Sequence, residues 1–290
     1  MTLPSTEPLG AEPVPLPVPV SELGEGPIWV AAETALYWVD IPAGRVHRLA
    51  GDGGHASWEV GAPAGAVVPR AGGGLVVAAG TGFVTLEPAT GAVAPLAGTT
   101  ASPADARMND GACDLAGRFY AGTMAHDEAP GGGTLYRLDP DRSVTEIYPR
   151  VGVSNGIGWS PDNRQMYYID SLEYRVDVMD YDPLTGQIGE RRPFAAVGAG
   201  DVQPDGLAVD SDGGLWVAVW GGGMIQRLDP AGRPAGQIRL PAANVTSCAF
   251  GGPDMDRLYI TTAAGPGRLG GTLFGCLPGV PGLPAHPFRG

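Results

Sequence analysis

Residues 154–170 read Ser-Asn-Gly-Ile-Gly-Trp-Ser-Pro-Asp-Asn-Arg-Gln-Met-Tyr-Tyr-Ile-Asp. A short run that starts with small and polar residues is followed by a Pro-Asp-Asn turn and then by an apolar run, which is the pattern of two antiparallel β-strands. A similar apolar run occurs six times, beginning at Leu36, Leu75, Phe119, Met166, Leu215 and Leu258. These starts lie 39, 44, 47, 49 and 43 residues apart. A repeat of this length indicates one supersecondary unit present six times.

Each apolar run is followed by a second run that ends in a turn, as in Leu135-Tyr-Arg-Leu-Asp-Pro and Ile225-Gln-Arg-Leu-Asp-Pro. The units contain several short strands and no helical periodicity, which favours radial repetition over a sandwich or a solenoid. We therefore predict an all-β fold, a six-bladed β-propeller with four-stranded antiparallel blades, as a single domain over residues 1–290. The proline-rich segment in residues 1–20 is expected to close the ring as an edge strand, because Pro cannot donate within a central ladder.

Composition excludes several classes of partner. The formal net charge is −13, and the 18 basic residues are scattered. Nucleic acids and anionic membranes are bound by clustered basic side chains, so we expect neither, and a negative field favours a neutral substrate and a bound cation. No stretch reaches the roughly 20 apolar residues that span a bilayer. Residues 1–20 also lack the features of a secretory signal, which predicts a cytoplasmic protein. The three cysteines show no CxxC spacing and are expected to be buried thiols.

A third, shorter strand precedes each hairpin. Counting back ten or eleven residues from the start of each apolar run gives Glu25, Gly65, Asn109, Asn155, Asp205 and Ser247. The first strand of a propeller blade lines the central channel, so these positions are expected to form a ring at one mouth of the channel. Four of the six are carboxylates or carboxamides, with no His or Cys in register. Such oxygen donors suit Ca²⁺, Mg²⁺ or Mn²⁺.

Several short motifs follow one another in a fixed order along the chain: Glu25-Gly-Pro-Ile-Trp, Arg107-Met-Asn-Asp-Gly, Ala121-Gly-Thr-Met, Ser154-Asn-Gly-Ile-Gly-Trp and Pro204-Asp-Gly-Leu. In this order and spacing the set resembles the senescence marker protein (regucalcin)/gluconolactonase family over nearly the whole chain. The resemblance implies a six-bladed propeller with one divalent cation at the channel mouth, held by Glu25, Asn155 and Asp205. It also implies substrate contacts from Arg107, Asn109 and Asp127, where Asp127 replaces a Glu of animal members of the family. Such families are expected to accept Zn²⁺ or Fe²⁺ as well.

The predicted chemistry is the hydrolysis of a sugar-derived lactone, such as glucono- or xylonolactone, to the aldonic acid. A lactone is a neutral cyclic ester, and a cation beside its carbonyl oxygen stabilises the charge that develops as water adds. Asp205 is the predicted general base, because Asn155 cannot accept a proton and Glu25 is assigned as a ligand. Asn109 could serve as a fourth ligand or as a substrate contact. His126 and Trp220 are expected near the same mouth, with roles left open.

Two other functions are compatible with the sequence: a phosphotriester or fluorophosphate hydrolase on the same propeller, and a non-enzymatic calcium-binding or scaffold propeller. An apolar pocket wall would favour the phosphotriester, and ring oxygens turned outward would favour the scaffold. The match of Gly152-Val-Ser-Asn-Gly to a nucleophile elbow is rejected, because no helix is predicted after it. The Asp210-Ser-Asp-Gly segment lacks the Glu that ends an EF-hand loop.

Overall fold

Six four-stranded antiparallel sheets make up the fold. The structure, a computed structural model, describes residues 8–102, 104–265 and 268–290. Each sheet is formed by strands that are consecutive in the chain, apart from the one that includes the N-terminal strand. The predicted six-bladed β-propeller with four-stranded blades is confirmed. Within these residues, no helix has the length and apolar character needed to cross a membrane.

The strands are short and follow one another closely. The first blade contains β2 (Gly24–Val30), β3 (Ala35–Asp40), β4 (Arg45–Ala50) and β5 (His55–Glu59). The second contains β6 (Ala64–Pro69), β7 (Leu75–Ala79), β8 (Gly82–Glu87) and β9 (Ala92–Gly98). The third contains β10 (Ala106–Cys113), β11 (Phe119–Ala125), β12 (Gly133–Leu138) and β13 (Val144–Val151). The fourth contains β14 (Ser154–Trp159), β15 (Gln165–Asp170), β16 (Arg175–Asp180) and β17 (Arg192–Ala196). The fifth contains β18 (Gln203–Val209), β19 (Leu215–Trp220), β20 (Met224–Leu228) and β21 (Pro234–Arg239). The sixth contains β22 (Val245–Gly251), β23 (Arg257–Thr262), β24 (Phe274–Cys276) and the N-terminal strand β1 (Val14–Pro15). The helical elements among the described residues are two 3₁₀ turns, Ala31–Glu33 and Ser171–Glu173.

The ring is closed by the N-terminal segment. Strand β1 pairs antiparallel with β24, so that Val14 lies opposite Gly275 at the outer edge of the sixth blade. The first and last parts of the chain therefore share one sheet. Residues 1–7 of the proline-rich segment lie outside the described residues.

The second strand of every blade holds the core. Its first large apolar residue is completely buried in all six blades, namely Leu36, Leu75, Phe119, Met166, Leu215 and Leu258. Burial of one such side chain stabilises the fold by roughly 1.5–3 kcal/mol. These are the residues whose spacing revealed the repeat, so the same periodicity that predicts the blades also positions their core.

A β-bulge interrupts the first strand of each blade at the same height. The pairing register shifts between Glu25 and Ile28 in the first blade and between Ser154 and Ile157 in the fourth. Corresponding shifts occur at residues 64–66, 108–110, 204–207 and 245–247. A bulge leaves a residue outside the ladder and changes the direction of its side chain. In the sixth blade the bulged residue is Thr246, one residue before the Ser247 that the count selected, and in the first blade Glu25 is the last paired residue before the bulge.

Two of the bulges depend on glycine because neighbouring blades approach closely. A Cβ atom on Gly156 would lie 2.8 Å from the carbonyl oxygen of Asp205, and one on Gly206 would lie 2.1 Å from Oγ of Ser247. Real side chains do not tolerate such contacts. The glycine that follows each of these ring residues therefore allows the first strands to pack around a narrow channel.

The opposite mouth of the channel contains a second cavity of about 340 Å³. Its walls are mainly apolar and include Trp29, Trp159 and Phe250. The C-terminal segment forms one side of it through residues 283–286 and then continues to Phe288, which is fully buried. The two ends of the channel thus differ in character.

Candidate metal and substrate site

A polar cavity of about 270 Å³ lies at the mouth where the bulges occur. Glu25, Asn109, Asn155 and Asp205 all line it, and each is 4–6% exposed. These are the four polar ring positions that the repeat selected, so the structure brings together residues that are up to 180 positions apart in the chain. Their side chains face the cavity because each one occupies or borders a bulge.

Two of these residues have an oxygen atom without a partner. Oδ1 of Asn155 and Oδ1 of Asp205 are buried, and neither accepts a hydrogen bond from the part of the protein that the structure describes. The amide nitrogen of Asn155 is satisfied, because it donates to Oγ of Ser171 at 2.9 Å. The carboxylate of Glu25 in the same cavity accepts a hydrogen bond of 3.0 Å from the adjacent backbone N–H of Gly26. Buried oxygens of this kind normally require a donor or a cation.

Asn109 is committed to other contacts. Its Oδ1 accepts a hydrogen bond from the guanidinium of Arg107 at 2.7 Å, and its Nδ2 donates to the carbonyl oxygen of Ser154 at 2.8 Å. The same guanidinium nitrogen of Arg107 also donates to the carbonyl oxygen of Met108 at 3.0 Å. An amide oxygen that already accepts from a cation is a poor metal ligand. The geometry therefore favours Asn109 as the residue that holds Arg107 at the cavity.

The cavity carries an excess of buried negative charge. Burial raises the pKa of Glu25 well above its usual range, and the carboxylates of Asp205 and Asp110 raise it further. The pKa of Asp205 is raised in the same way, first by burial and then by Asp110, although a side-chain hydrogen bond with Asn155 and the charge of Arg107 lower it in part. Burial also raises the pKa of Asp110 to about 7. Arg107 is the single basic side chain among the described lining residues, and burial lowers its pKa although Glu25 and other acids nearby oppose that effect.

The donor set fits a hard divalent cation. The site offers two carboxylates and one carboxamide oxygen, and all three side chains are buried. Oδ1 of Asn155 and Oδ1 of Asp205 have no partner within the described residues. Oxygen atoms of this kind are the ligands that Ca²⁺, Mg²⁺ and Mn²⁺ prefer. A positive charge among them would offset the repulsion between Glu25 and Asp205. In the part of the chain that is described, no group of three or more His, Cys, Asp and Glu residues has the arrangement of a metal site. The candidate site depends instead on the amide of Asn155.

Asp127 does not reach the cavity. Its carboxylate accepts a hydrogen bond from the backbone N–H of Ala129 at 3.1 Å and so stabilises an exposed turn. The next residue, Glu128, has a φ of +56° and lines the cavity. This left-handed backbone conformation redirects the chain at the end of β11, so the acidic side chain that reaches the cavity is one residue later than the sequence predicts. Nothing in the local sequence signals the change.

Other cavity residues were only partly predicted. Leu23, Arg107, Val153 and Gln203 all line the cavity, and each lies two residues before a polar ring residue. Alternation along a strand places such residues on the same face, so this spacing is a signal that could have identified Gln203. Trp220 lines the cavity opposite Gln203, with which it pairs across β18 and β19. His126 is exposed on the turn after β11 and is not among the lining residues.

The fold and this cavity together define a class of protein, a six-bladed β-propeller with a buried oxygen-donor site at one mouth of its channel. Comparison with known sequences then identifies the family. The chain belongs to the SMP-30/Gluconolactonase/LRE-like family, whose characteristic region matches residues 23–264. The family resemblance of the sequence motifs is thereby confirmed.

Individual relatives agree with this assignment. Regucalcin from Gallus gallus is 40% identical over 284 residues, which cover 92% of this chain and 95% of the chicken protein. The crystal structure of a calcium-binding protein, regucalcin, from Agrobacterium tumefaciens is 26% identical, with a TM-score of 0.92, and covers 98% of this chain and 99% of the bacterial one. A gluconolactonase from Xanthomonas campestris shares the fold, with a TM-score of 0.74 at 22% identity over 97% of this chain and 99% of its own. Family and fold support a propeller of the sugar-lactonase type.

Proposed function

We propose that the protein is a divalent-metal-dependent lactonase that hydrolyses a sugar-derived lactone to the aldonic acid. The observation that supports this most directly is the pair of unpartnered, buried oxygens on Asn155 and Asp205, which lie with Glu25 around one cavity. These three residues would hold the cation. The family match and the relatives named gluconolactonase and regucalcin support the same reading.

The substrate enters a cavity that carries acidic groups on several sides. Glu25, Glu128, Asp201 and Asp205 line it, against the single guanidinium of Arg107. Such a surface repels anions, so a neutral lactone is favoured over a phosphorylated one. Arg107 donates to the polar atoms of the sugar ring and thereby orients the reacting carbonyl. Asn109 maintains that orientation through its hydrogen bond to the guanidinium.

The reaction consumes one water molecule and moves one of its protons to the ring oxygen in two transfers. Water adds to the lactone carbonyl carbon, the bond from this carbon to the ring oxygen breaks, and the ring oxygen receives a proton to become a hydroxyl. When bound, a divalent cation would stabilise the negative charge that develops on the carbonyl oxygen. Asp205 accepts a proton from the attacking water, since it is the ring acid whose Oδ1 has no partner in the described protein, and it then donates that proton to the ring oxygen as the bond breaks. The product is an acid, which the carboxylates of the cavity then repel.

A panel of pentono- and hexonolactones tests this proposal. Acid release is followed at constant pH with the metal-free protein, with each candidate cation added back, and with chelator. We expect a cation-dependent rate well above spontaneous hydrolysis for at least one lactone. The absence of such a rate for every lactone and every cation would refute the proposal.

A calcium-binding propeller without catalytic activity is the second candidate, because the Agrobacterium neighbour is described as a calcium-binding protein. It predicts cation binding in a calorimeter and no turnover in the same assay. Phosphotriesters in the panel address the third possibility. They are disfavoured here, because Arg107, Gln203 and four carboxyl groups give the cavity a polar lining that suits hydroxyl groups.

A further inference from the structure

A carboxamide ligand presents a problem that a carboxylate does not. Both oxygens of Glu25 or Asp205 can bind a cation, so either rotation of the group offers an acceptor. The amide of Asn155 has one oxygen and one NH₂ group, and only the oxygen can bind a cation. If the amide rotates by half a turn, it points two protons at the position of the cation. A site that uses Asn155 therefore needs a neighbouring group that fixes the orientation of the amide.

The hydroxyl of Ser171 makes the contacts that are needed to fix this orientation. Its Oγ donates to the carbonyl oxygen of Pro204 at 2.7 Å and lies 2.9 Å from Nδ2 of Asn155. A carbonyl oxygen cannot donate, so the single proton of the hydroxyl is used on Pro204. The atom of Asn155 that faces Oγ must then be the NH₂ donor. Oδ1 is consequently directed away from Ser171, where it is buried and unpartnered within the described residues.

Ser171 is itself held rigidly. It is 2% exposed, and its backbone N–H donates to the carbonyl oxygen of Val153 at 3.0 Å. The preceding carboxylate, Asp170, accepts from the backbone N–H groups of Gly152 at 2.8 Å and Val153 at 3.0 Å. The 3₁₀ turn that begins at Ser171 and the segment that leads into Asn155 are therefore tied together. The hydroxyl has little freedom to move.

The internal repeat provides a comparison for this position. In four other blades, the residue directly after the second strand also donates its backbone N–H to a carbonyl oxygen in the segment before the first strand. These residues are Ile41, Gly80, His126 and Ala263. The first blade carries its ring carboxylate, Glu25, and has Ile41 here, a side chain without a polar atom. The third blade carries an amide, Asn109, which is oriented by Arg107 and the carbonyl oxygen of Ser154 instead. Each amide of the ring thus has a group that determines which of its two ends faces the cavity.

We propose that Ser171 is a positioning residue that selects Oδ1 of Asn155 as the ligand atom and links it to the segment that carries Asp205. Because Pro204 directly precedes Asp205, one hydroxyl connects two ring positions in adjacent blades. This inference rests on the proposed cation. It assigns Ser171 no contact with substrate and no part in proton transfer.

Binding of Mn²⁺, measured by electron paramagnetic resonance on the purified full-length protein, tests the inference independently of activity. Ser171→Ala is expected to weaken Mn²⁺ binding by about 10- to 100-fold, the usual effect of losing a group that orients a ligand. Ser171→Thr, which keeps the hydroxyl, should stay close to the wild-type affinity. The alanine variant should fold, since Ala263 and Gly80 occupy the same position in other blades.

A double-mutant cycle separates positioning from a general structural effect. In an Asn155→Asp background the ligand is a carboxylate that needs no selection, so Ser171→Ala should cost less than about threefold there. An equal loss with Asn and with Asp at position 155 would show that Ser171 only supports the fold. Equal Mn²⁺ affinity of the wild type and Ser171→Ala would likewise overturn the positioning role while leaving the lactonase proposal intact. Absence of Mn²⁺ binding by the wild type would overturn both.

Discussion

Replacing Asp205 by Asn should make the metal-free protein more stable and the enzyme far slower. Asp205 is 6% exposed and shares a buried cluster with Glu25 and Asp110. Besides burial, the charges of Asp205 and Asp110 raise the pKa of Glu25, and the charge of Asp110 raises the pKa of Asp205. The substitution keeps the shape of the side chain and an oxygen that can face the cation. It removes one buried negative charge and the proposed general base.

The two expected effects have separate magnitudes. Loss of a general base lowers turnover by ~10²–10⁴-fold, which corresponds to roughly 3–5 kcal/mol of transition-state stabilisation. Removal of an uncompensated buried charge should raise the free energy of unfolding by about 1–3 kcal/mol. For a domain of this size, each kcal/mol moves the Tm by roughly 2–4 °C. The stability gain should shrink when a cation is added, because the wild-type cluster is then neutralised.

The assay compares Tm by calorimetry in chelator and in saturating Mn²⁺, alongside the rate of lactone hydrolysis. Asp210→Asn is a matched control in the same blade, since Asp210 is fully buried but its carboxylate accepts from Trp216, Arg227 and Gly214 at 2.7–2.9 Å. That variant should lose about 3–5 kcal/mol of stability and keep its turnover per folded molecule. A lower Tm for Asp205→Asn in chelator would contradict the view that the ring charge is uncompensated. Unchanged turnover would remove Asp205 as the base.

Three further predictions concern the cation, the cavity and pH. A divalent cation at 100 times its Kd should raise the free energy of unfolding by about 2.7 kcal/mol in urea titrations, and an unchanged midpoint would speak against a cation at the ring. Glu128→Gln should raise the KM for lactone by about tenfold, the lower end of the effect of losing a hydrogen bond to a charged group. The matched control Asp127→Asn should change KM by less than about twofold, and the reverse result would restore Asp127 as the substrate contact. Burial lowers the pKa of His47 from 6.5 to about 4, helped by the nearby His55. The unfolded chain then binds more protons between these two values, so stability should fall as the pH drops from about 6.5 to about 4, by at most roughly 3 kcal/mol. His47→Phe should flatten that part of the curve of unfolding free energy against pH, and an unchanged slope would contradict the assignment.

The sequence predicts the architecture well because the architecture is periodic. The apolar runs that start at Leu36 and Met166 are completely buried in the structure, and their spacing alone gives the number of blades. The same register selects Glu25, Asn155 and Asp205, since equivalent positions of a radial repeat must meet at the axis. Residues far apart in the chain could therefore be grouped without knowledge of any contact.

Details that depend on backbone irregularities were less accessible. The positive φ of Glu128 brings that residue rather than Asp127 to the cavity. The bulge in the sixth blade falls at Thr246 instead of Ser247. Both differences shift a side chain by one position, and one position is enough to reverse the face on which a strand residue lies. The composition of a turn does not specify its dihedral angles closely enough to predict such a shift.

By itself, the sequence determined which blades exist and which residues lie at the mouth of their channel, because both follow from the spacing of the repeat along the chain. Only the tertiary structure decided what those residues can do. Nδ2 of Asn155 donates to the hydroxyl of Ser171, in the 3₁₀ turn after β15, so that Oδ1 is directed away from this contact. Oδ1 of Asn109 already accepts a hydrogen bond from Arg107, which disfavours it as a cation ligand. These are hydrogen bonds between groups whose relative positions depend on the packing of the whole ring, and the spacing of residues along the chain does not contain that information.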